Sequence, residues 1–150
     1  MVRKTTIKTL RKKLKKIFSM YIRQRDTLFG RGYGHCITCE KRLHWAEANA
    51  GHYIEVGTAT QGTEFDERNV HLQCVHCNNW LEGRKASYTL WMIKNYDIGI
   101  IEELVQQSKW SLMDFVNRRF GINDNQKVFD NKEAYEYLIK YYQEKLNELG

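Results

Sequence analysis

Four cysteines, spaced as two C-x2-C pairs, are the residues most committed to one chemistry. Cys36-Ile-Thr-Cys39 and Cys74-Val-His-Cys77 each present two thiols from one tight turn, and two such turns complete a tetrahedral S4 cage for Zn2+. No cysteine is left over. A closed S4 cage has no open coordination position, so such a zinc is structural rather than catalytic. A thioredoxin-like couple needs one pair beside a βαβ pattern, which is absent here, and disulfides need an oxidising compartment. Iron also suits the spacing, and two unrelated pairs are the plainer alternative. The expectation is one structural zinc per chain.

The clamp closes around further polar residues. Between the knuckles lies "AGHYIE" with His52, then a long loop, "VGTATQGTEFDERN", then "NVHLQ". Asn69 opens that last stretch and His71 lies within it, and Asn78 directly follows the second knuckle. A zinc ribbon that only binds DNA needs none of these.

Several elements must position them. Residues 3 to 28 read as one helix, because Ile7, Leu10, Leu14, Ile17, Tyr21 and Leu28 recur at spacings of three and four, with Phe18 and Ile22 widening the stripe. "GRGYG" at 30–34 ends it and leads into the first knuckle. Residues 36 to 77 carry short strands, including "NVHLQ". From Asn78 the pattern turns helical, breaks at Gly83 and resumes through "SYTLWMIKNY". "IGIIEELVQQ" is a further helix, "SLMDFVNRRFG" has Ser111 as its cap and Gly121 as its stop, and residues 131 to 149 form a last one. The fold class is α+β: a small zinc-braced centre flanked by helices, mostly α overall. The divisions are a basic helix at 1–29, a core at 30–110 and helices at 111–150, packed as one unit.

Charge is distributed unevenly. Net charge is +6, yet residues 1–25 hold ten basic side chains, Lys12, Lys13, Lys15 and Lys16 among them, and no acid. A basic arm on a mildly acidic body is a footprint for a polyanion, and nucleic acid is the expected partner over a merely solvated helix face. No run reaches 18 apolar residues and no secretory signal is visible, so neither a membrane span nor export is expected. The expected location is cytoplasmic.

The order of histidine, long loop, asparagine, cysteine knuckle and asparagine resembles the HNH, or ββα-metal, nucleases. "YIRQRD", C-x2-C, "AGHY" and F-x-ERN-x-H-x-QC-x2-CN are together similar to the NinG, or Rap, family of phage recombination proteins, over about residues 20 to 105. That family's members carry a longer, very basic N-terminal region, and residues 111 to 132 look like an insertion. The resemblance implies a metal-dependent endonuclease of branched recombination intermediates, such as Holliday junctions or D-loops, acting in a phage-infected or prophage-carrying cell. Carried over, His52 is the general base, Asn69 pins the loop that orients it, and Asn78 ligates a catalytic Mg2+ or Mn2+.

Elementary chemistry agrees with these residue types. An imidazole of unperturbed pKa about 6.5 suits proton abstraction, and a hard, partly hydrated cation neutralises charge on the phosphate and on the leaving 3′ oxygen. Many HNH nucleases place an aspartate ligand immediately before the histidine, where this chain has Gly51. Asn49, Glu47, a main-chain carbonyl or Glu82, four residues after Asn78 and so on its helix face, could replace it.

Other residues have plainer readings. His71 divides evenly between phosphate contact and strand packing. His35 and His76 abut cysteines, and His44 has no assigned role. Trp80, Trp91 and Trp110 sit in helical patterns and are expected in the core rather than as base-stacking platforms. Resolving a four-way junction needs paired cuts, which a C2 homodimer supplies, and the stripes of residues 7–28 and 135–149 are candidate interfaces, although burial within one chain is the simpler explanation. Two rivals remain: a sequence-preferring HNH nicking or homing-type nuclease, and a zinc-stabilised DNA-binding module with inert HNH-like residues.

Overall fold

Thr6 starts the first helix, its hydroxyl accepting from the Thr9 amide, and α1 runs Ile7–Arg25. This is shorter than the expected 3–28. A 3-10 turn, Leu28–Gly30, follows, and Arg31 and Gly32 take left-handed conformations. The computed structural model describes residues 4–57 and 61–150, so Arg3 and the middle of the polar loop lie outside the described residues.

The rest follows in chain order: β1 (Tyr33–His35), β2 (Arg42–His44), β3 (Ala48–His52), β4 (Val70–Cys74), α2 (Lys85–Asn95), α3 (Gly99–Gln107), α4 (Leu112–Arg119) and α5 (Asn131–Glu148). The class is α+β. Ser111 caps α4 by accepting from the Asp114 amide, and left-handed Gly121 follows it. The strands form two antiparallel pairs, β1 with β2 and β3 with β4. In the second pair Gly51 lies opposite His71 and His52 opposite Val70. The residues between β1 and β2 form the first cysteine knuckle, and the end of β4 opens the second.

Three apolar clusters organise the chain. The stripes of α1 and α5 pack on each other, joining Leu14, Phe18 and Ile22 to Tyr135, Leu138 and Tyr142, with Phe65, Val70 and Phe115 closing the cluster. Each fully buried side chain of this size contributes about 1.5–3 kcal/mol. The middle of both stripes offered as dimer interfaces is therefore satisfied within one chain, which is the simplest way to bury two amphipathic faces. A second cluster surrounds the cysteines, with Leu43, Ala48 and Leu72. A third holds α2 against α3 through Tyr88, Met92, Ile100 and Leu104. Strand β4 gives Val70 to the first cluster and Leu72 and Cys74 to the second, and is buried at every position. Among the described residues, no helix is long and apolar enough to cross a membrane.

Candidate metal centre and polar cleft

The four cysteine sulfurs converge, all within 4.8 Å of one another. The Cys39–Cys74 separation is 3.8 Å. A tetrahedron with Zn–S bonds of about 2.3 Å has edges of about 3.8 Å, so this edge matches that of a zinc tetrathiolate. Its protonation fits as well. Burial opposes ionisation of Cys36, but hydrogen bonds from Thr38 and nearby backbone outweigh it and bring that thiol down to about 6. Burial, with neighbouring thiols, pushes Cys39 up to about 12, and burial also raises Cys74. Sulfurs this crowded reach the thiolate state together only when a cation balances them.

Beyond the cage lies an open cleft of about 580 Å³, lined by Ala50, His52, Glu55, Val56, Asn78, Glu82, Gly83 and Lys85. His52 and Asn78, far apart in sequence, share it. His52 Nε2 lies 2.8 Å from the Glu64 carbonyl oxygen. A carbonyl only accepts, so Nε2 carries the proton and the Nδ1 lone pair is left to take one. Burial lowers the imidazole pKa below its usual value; Lys85 and Lys15 lower it further, against the Glu64 carbonyl.

Glu64 is itself held. Its carboxylate accepts from Arg11 at 2.7 Å, and its side chain is only 3% exposed. Burial raises its pKa, and Arg11 and Lys15 oppose that rise. Phe65, next in the chain, is buried in the α1–α5 core, and its carbonyl accepts from Tyr142. Asp66 caps the following 3-10 turn and pairs with Arg68 and with Gln107 of α3. The imidazole is therefore oriented from the main core. Sequence reasoning misses Glu64 and Lys85. A signal toward Glu64 is Phe65, an apolar residue inside a polar loop.

Asn69 is fully buried and ties both ends of that loop. Its Oδ1 accepts from the Ile54 amide at 2.8 Å, and its Nδ2 donates to the Ile54 and Thr63 carbonyls, both at 3.1 Å. Lys85 Nζ donates to the His52 and Tyr53 carbonyls at 2.7 and 2.6 Å, fixing the end of β3 from the α2 side.

Three expectations need correcting. Asn78 does not open an α-helix but sits inside a π-helical turn, His76–Trp80, and Glu82 has a left-handed backbone with φ 51°, so the two share no helix face. They meet across the cleft instead. The turn stays separate because Gly83 and Arg84 also take positive φ before α2 begins.

His71 is no phosphate contact. It is buried, and its two ring nitrogens bond to the Tyr88 and Tyr96 hydroxyls at 3.0 and 2.9 Å. Tyr88 donates to the Gly51 carbonyl at 2.7 Å, so this chain of bonds braces β3 next to His52. Trp80 is not core but exposed, while Trp91 and Trp110 are half-buried. Of the two stripes, Leu10 to Ile22 and Tyr135 to Tyr142 pack on each other in the α1–α5 core, as the simpler explanation had it, while Ile7 and Leu28 stay exposed.

Gly51 also has its reason. A Cβ there would lie 1.9 Å from Gln73 Oε1. Gln73 is buried, with its amide nitrogen held by Thr38 and the Gly83 carbonyl at 3.1 and 2.9 Å. A side chain at 51, aspartate included, would have to displace Gln73 from these bonds. The acidic oxygens of the cleft come from Glu55 and Glu82. Asn49 bonds outward to Asn79, and Glu47 lies in a 3-10 turn before β3. His44 caps that turn through Nδ1, and His35 and His76 are exposed. Lys12, Lys13, Lys15 and Lys16 are all exposed on α1, and Lys15 is the one whose charge reaches His52.

Comparison with known proteins agrees with the motifs and extends beyond them. The family model described as "Bacteriophage Lambda NinG protein" matches residues 1–146. "Protein ninG" of Salmonella phage P22 is 34% identical over 98 residues, covering 65% of this chain and 45% of the relative. "Protein ninG" of Escherichia phage lambda is 32% identical over 93 residues, covering 62% and 42%. "Protein ninG" of Enterobacteria phage H19B is 28% identical over 126 residues, covering 82% and 59%. This chain thus spans about half the length of the curated relatives it matches. No solved structure matches it significantly. With its four cysteines, His52, Asn69 and Asn78 all inside the matched region, the chain belongs to the bacteriophage lambda NinG family.

Proposed function

We propose that the chain is a divalent-metal-dependent endonuclease that hydrolyses phosphodiester bonds in branched DNA. One observation carries the reading: an imidazole with its Nε2 proton committed to a carbonyl and its Nδ1 lone pair without a donor among the described residues, in a cleft that also holds amide and carboxylate oxygens. His52 Nδ1 takes a proton from a water as the water oxygen bonds to phosphorus. The bond from phosphorus to the 3′ oxygen breaks, and that oxygen takes a proton from solvent. Asn69 and Glu64 keep the imidazole aimed.

Hard oxygen donors fit a hard cation. Asn78 Oδ1, which has no donor among the described residues, would hold Mg2+ or Mn2+ together with Glu82 or Glu55. The metal supplies neutralisation of charge on the phosphate and the leaving oxygen. Exposed lysines of α1 supply sequence-independent affinity for the DNA backbone. The protein acts in the cytoplasm of the infected cell. A homodimer that cuts paired strands of a junction would use a surface other than the α1 and α5 stripes.

Cleavage assays on plain duplex, nicked duplex and four-way junction, with and without Mg2+, test the reading. The expected result is Mg2+-dependent cutting, with the junction preferred, that His52→Ala abolishes while DNA binding survives. Equal cutting of plain duplex would point to a nicking nuclease. Absence of cutting on every substrate would leave a DNA-binding module, and full activity in His52→Ala would remove the catalytic assignment.

A further inference from the structure

Lys85 brings a fixed cation into the cleft without a counterion. Two of its three N–H groups are used on the His52 and Tyr53 carbonyls, at 2.7 and 2.6 Å. Nζ also lies 5.9 Å from the ring centroids of both Tyr53 and Tyr88, so the head group is held on several sides. The third N–H has no acceptor among the described residues. No carboxylate among them comes within 4.0 Å of Nζ, and Glu55 of the same cleft attracts it from farther off. Arg11, Arg25 and Arg68, which pack against the core, each meet a carboxylate, of Glu64, Asp26 and Asp66. Arg23 meets none, but it covers the Trp45 ring and does not line the cleft. Bracing β3 against α2 accounts for two bonds of Lys85 and not for its charge. A neutral donor would make the same bonds without the cost of dehydrating an ion.

We infer that Lys85 binds the phosphate under attack, its remaining N–H donating to a non-bridging oxygen and its charge balancing the negative charge that grows there as the attacking oxygen joins phosphorus. This rests on the endonuclease reading above and adds a cation of the chain's own to a role which that reading gives to the metal. Nζ is bonded to the carbonyl of His52 itself, so the ammonium and the imidazole are mounted on one residue and line one cleft. Bond lengths then keep Nζ within about 9 Å of His52 Nδ1. A phosphate and its attacking water, hydrogen-bonded at either end, span such a distance.

Charge decides when the site is ready. Glu55, Glu82 and Lys85 leave the cleft lining with one net negative charge, which repels DNA. A divalent cation on the carboxylates reverses that sign. The phosphate then meets two positive centres at separate points, the metal and the ammonium.

Binding and cleavage test this separately. Binding is measured on zinc-loaded His52→Ala protein in Mg2+, which leaves the DNA intact. The probes are four-way junctions in which one phosphate at a time is replaced by an uncharged methylphosphonate. Replacement at the cleavage position mapped with wild type should weaken binding. Adding Lys85→Met should shrink that loss about 10-fold, the worth of one charge-assisted hydrogen bond, and leave the losses at other positions unchanged. In single-turnover cleavage Lys85→Met should be slower by about 10²- to 10³-fold, with Lys85→Arg recovering part of the rate. Zinc content and the unfolding midpoint monitor the fold. If Lys85→Met does not fold, Lys85→Gln takes its place, since its amide keeps two N–H donors for the carbonyls and carries no charge.

A methylphosphonate loss of the same size with and without Lys85, or a Lys85→Gln protein that cuts at the wild-type rate, would overturn the inference and leave the lysine as a brace. The two readings fail separately. A wild type that never cuts with Mg2+, yet shows a Lys85-dependent loss at one phosphate, sinks the endonuclease and keeps the phosphate contact. Cutting that ignores Lys85 sinks only the contact.

Discussion

Asn69→Ala should destabilise the protein severely, and the size of the effect can be worked out from three hydrogen bonds. The Ile54 amide loses its acceptor, and the Ile54 and Thr63 carbonyls lose their donor. Thr63 keeps a second donor, the Asp66 amide at 3.2 Å, so its loss is small. Two groups are left unsatisfied in a buried site, at about 1–3 kcal/mol each, and partial hydration of a loosened loop brings the sum to about 3 kcal/mol. With a urea m-value of about 2 kcal/mol/M for a chain of this size, the midpoint should fall by about 1.5 M at fixed excess zinc. Asn69→Asp should do no better at neutral pH, because a carboxylate has no proton for either carbonyl. The same loosening frees the segment that holds the Glu64 carbonyl, so cleavage should fall in kcat more than in KM. Unfolding of Asn69→Ala at the wild-type midpoint would refute the reasoning outright.

Metal analysis should find about one tightly bound zinc per chain, and Cys74→Ser should lose it and lower the unfolding midpoint; a folded, reduced, zinc-free protein would contradict the cage. The acid limb of kcat/KM should lie below pH 6.5, since burial and the Lys85 and Lys15 charges disfavour the imidazolium and the neutral base persists to lower pH. Lys15→Met should move that limb upward, and a limb at or above 6.5 that ignores this change would remove His52 as the base. Neutralising Lys12, Lys13, Lys15 and Lys16 together should weaken binding to all DNAs alike and flatten the slope of log K against log salt by about 2–4, read by titration at several salt concentrations. An unchanged slope would mean that this face of α1 meets only solvent.

Features carried by local spacing are legible in the chain itself. The heptad-like stripes of α1 and α5, the Ser111 cap and Gly121 stop of α4, and the strand at residues 70–74 follow from periodicity and turn chemistry that act within a few residues. Expectations fail where a local pattern is overridden from elsewhere. Continuing the helical pattern from Asn78 puts Glu82 on its face, but Cys77 is bound into the cage and three successive positive φ angles at 82–84 break the helix. Trp80 reads as a helix core residue only if that helix exists. His71 alternates along its strand as a cleft residue would, yet α2 and the residue that ends it bring Tyr88 and Tyr96 over it.

The sequence by itself determined the four-cysteine cage and the family, because both reside in residue types at short, fixed separations: two thiols per turn, and a histidine, two asparagines and a knuckle in unbroken order. It also determined that a basic, amphipathic helix exists. What only the tertiary structure decided is which nitrogen of His52 is free, because that depends on a carbonyl twelve residues away, held in place by the α1–α5 core. It likewise decided that a ligating side chain at 51 would have to displace Gln73 of the neighbouring strand, and that Trp80 faces solvent. Hydrogen-bond direction, steric exclusion and exposure are properties of atoms meeting through space, and no spacing along the chain encodes them one residue at a time.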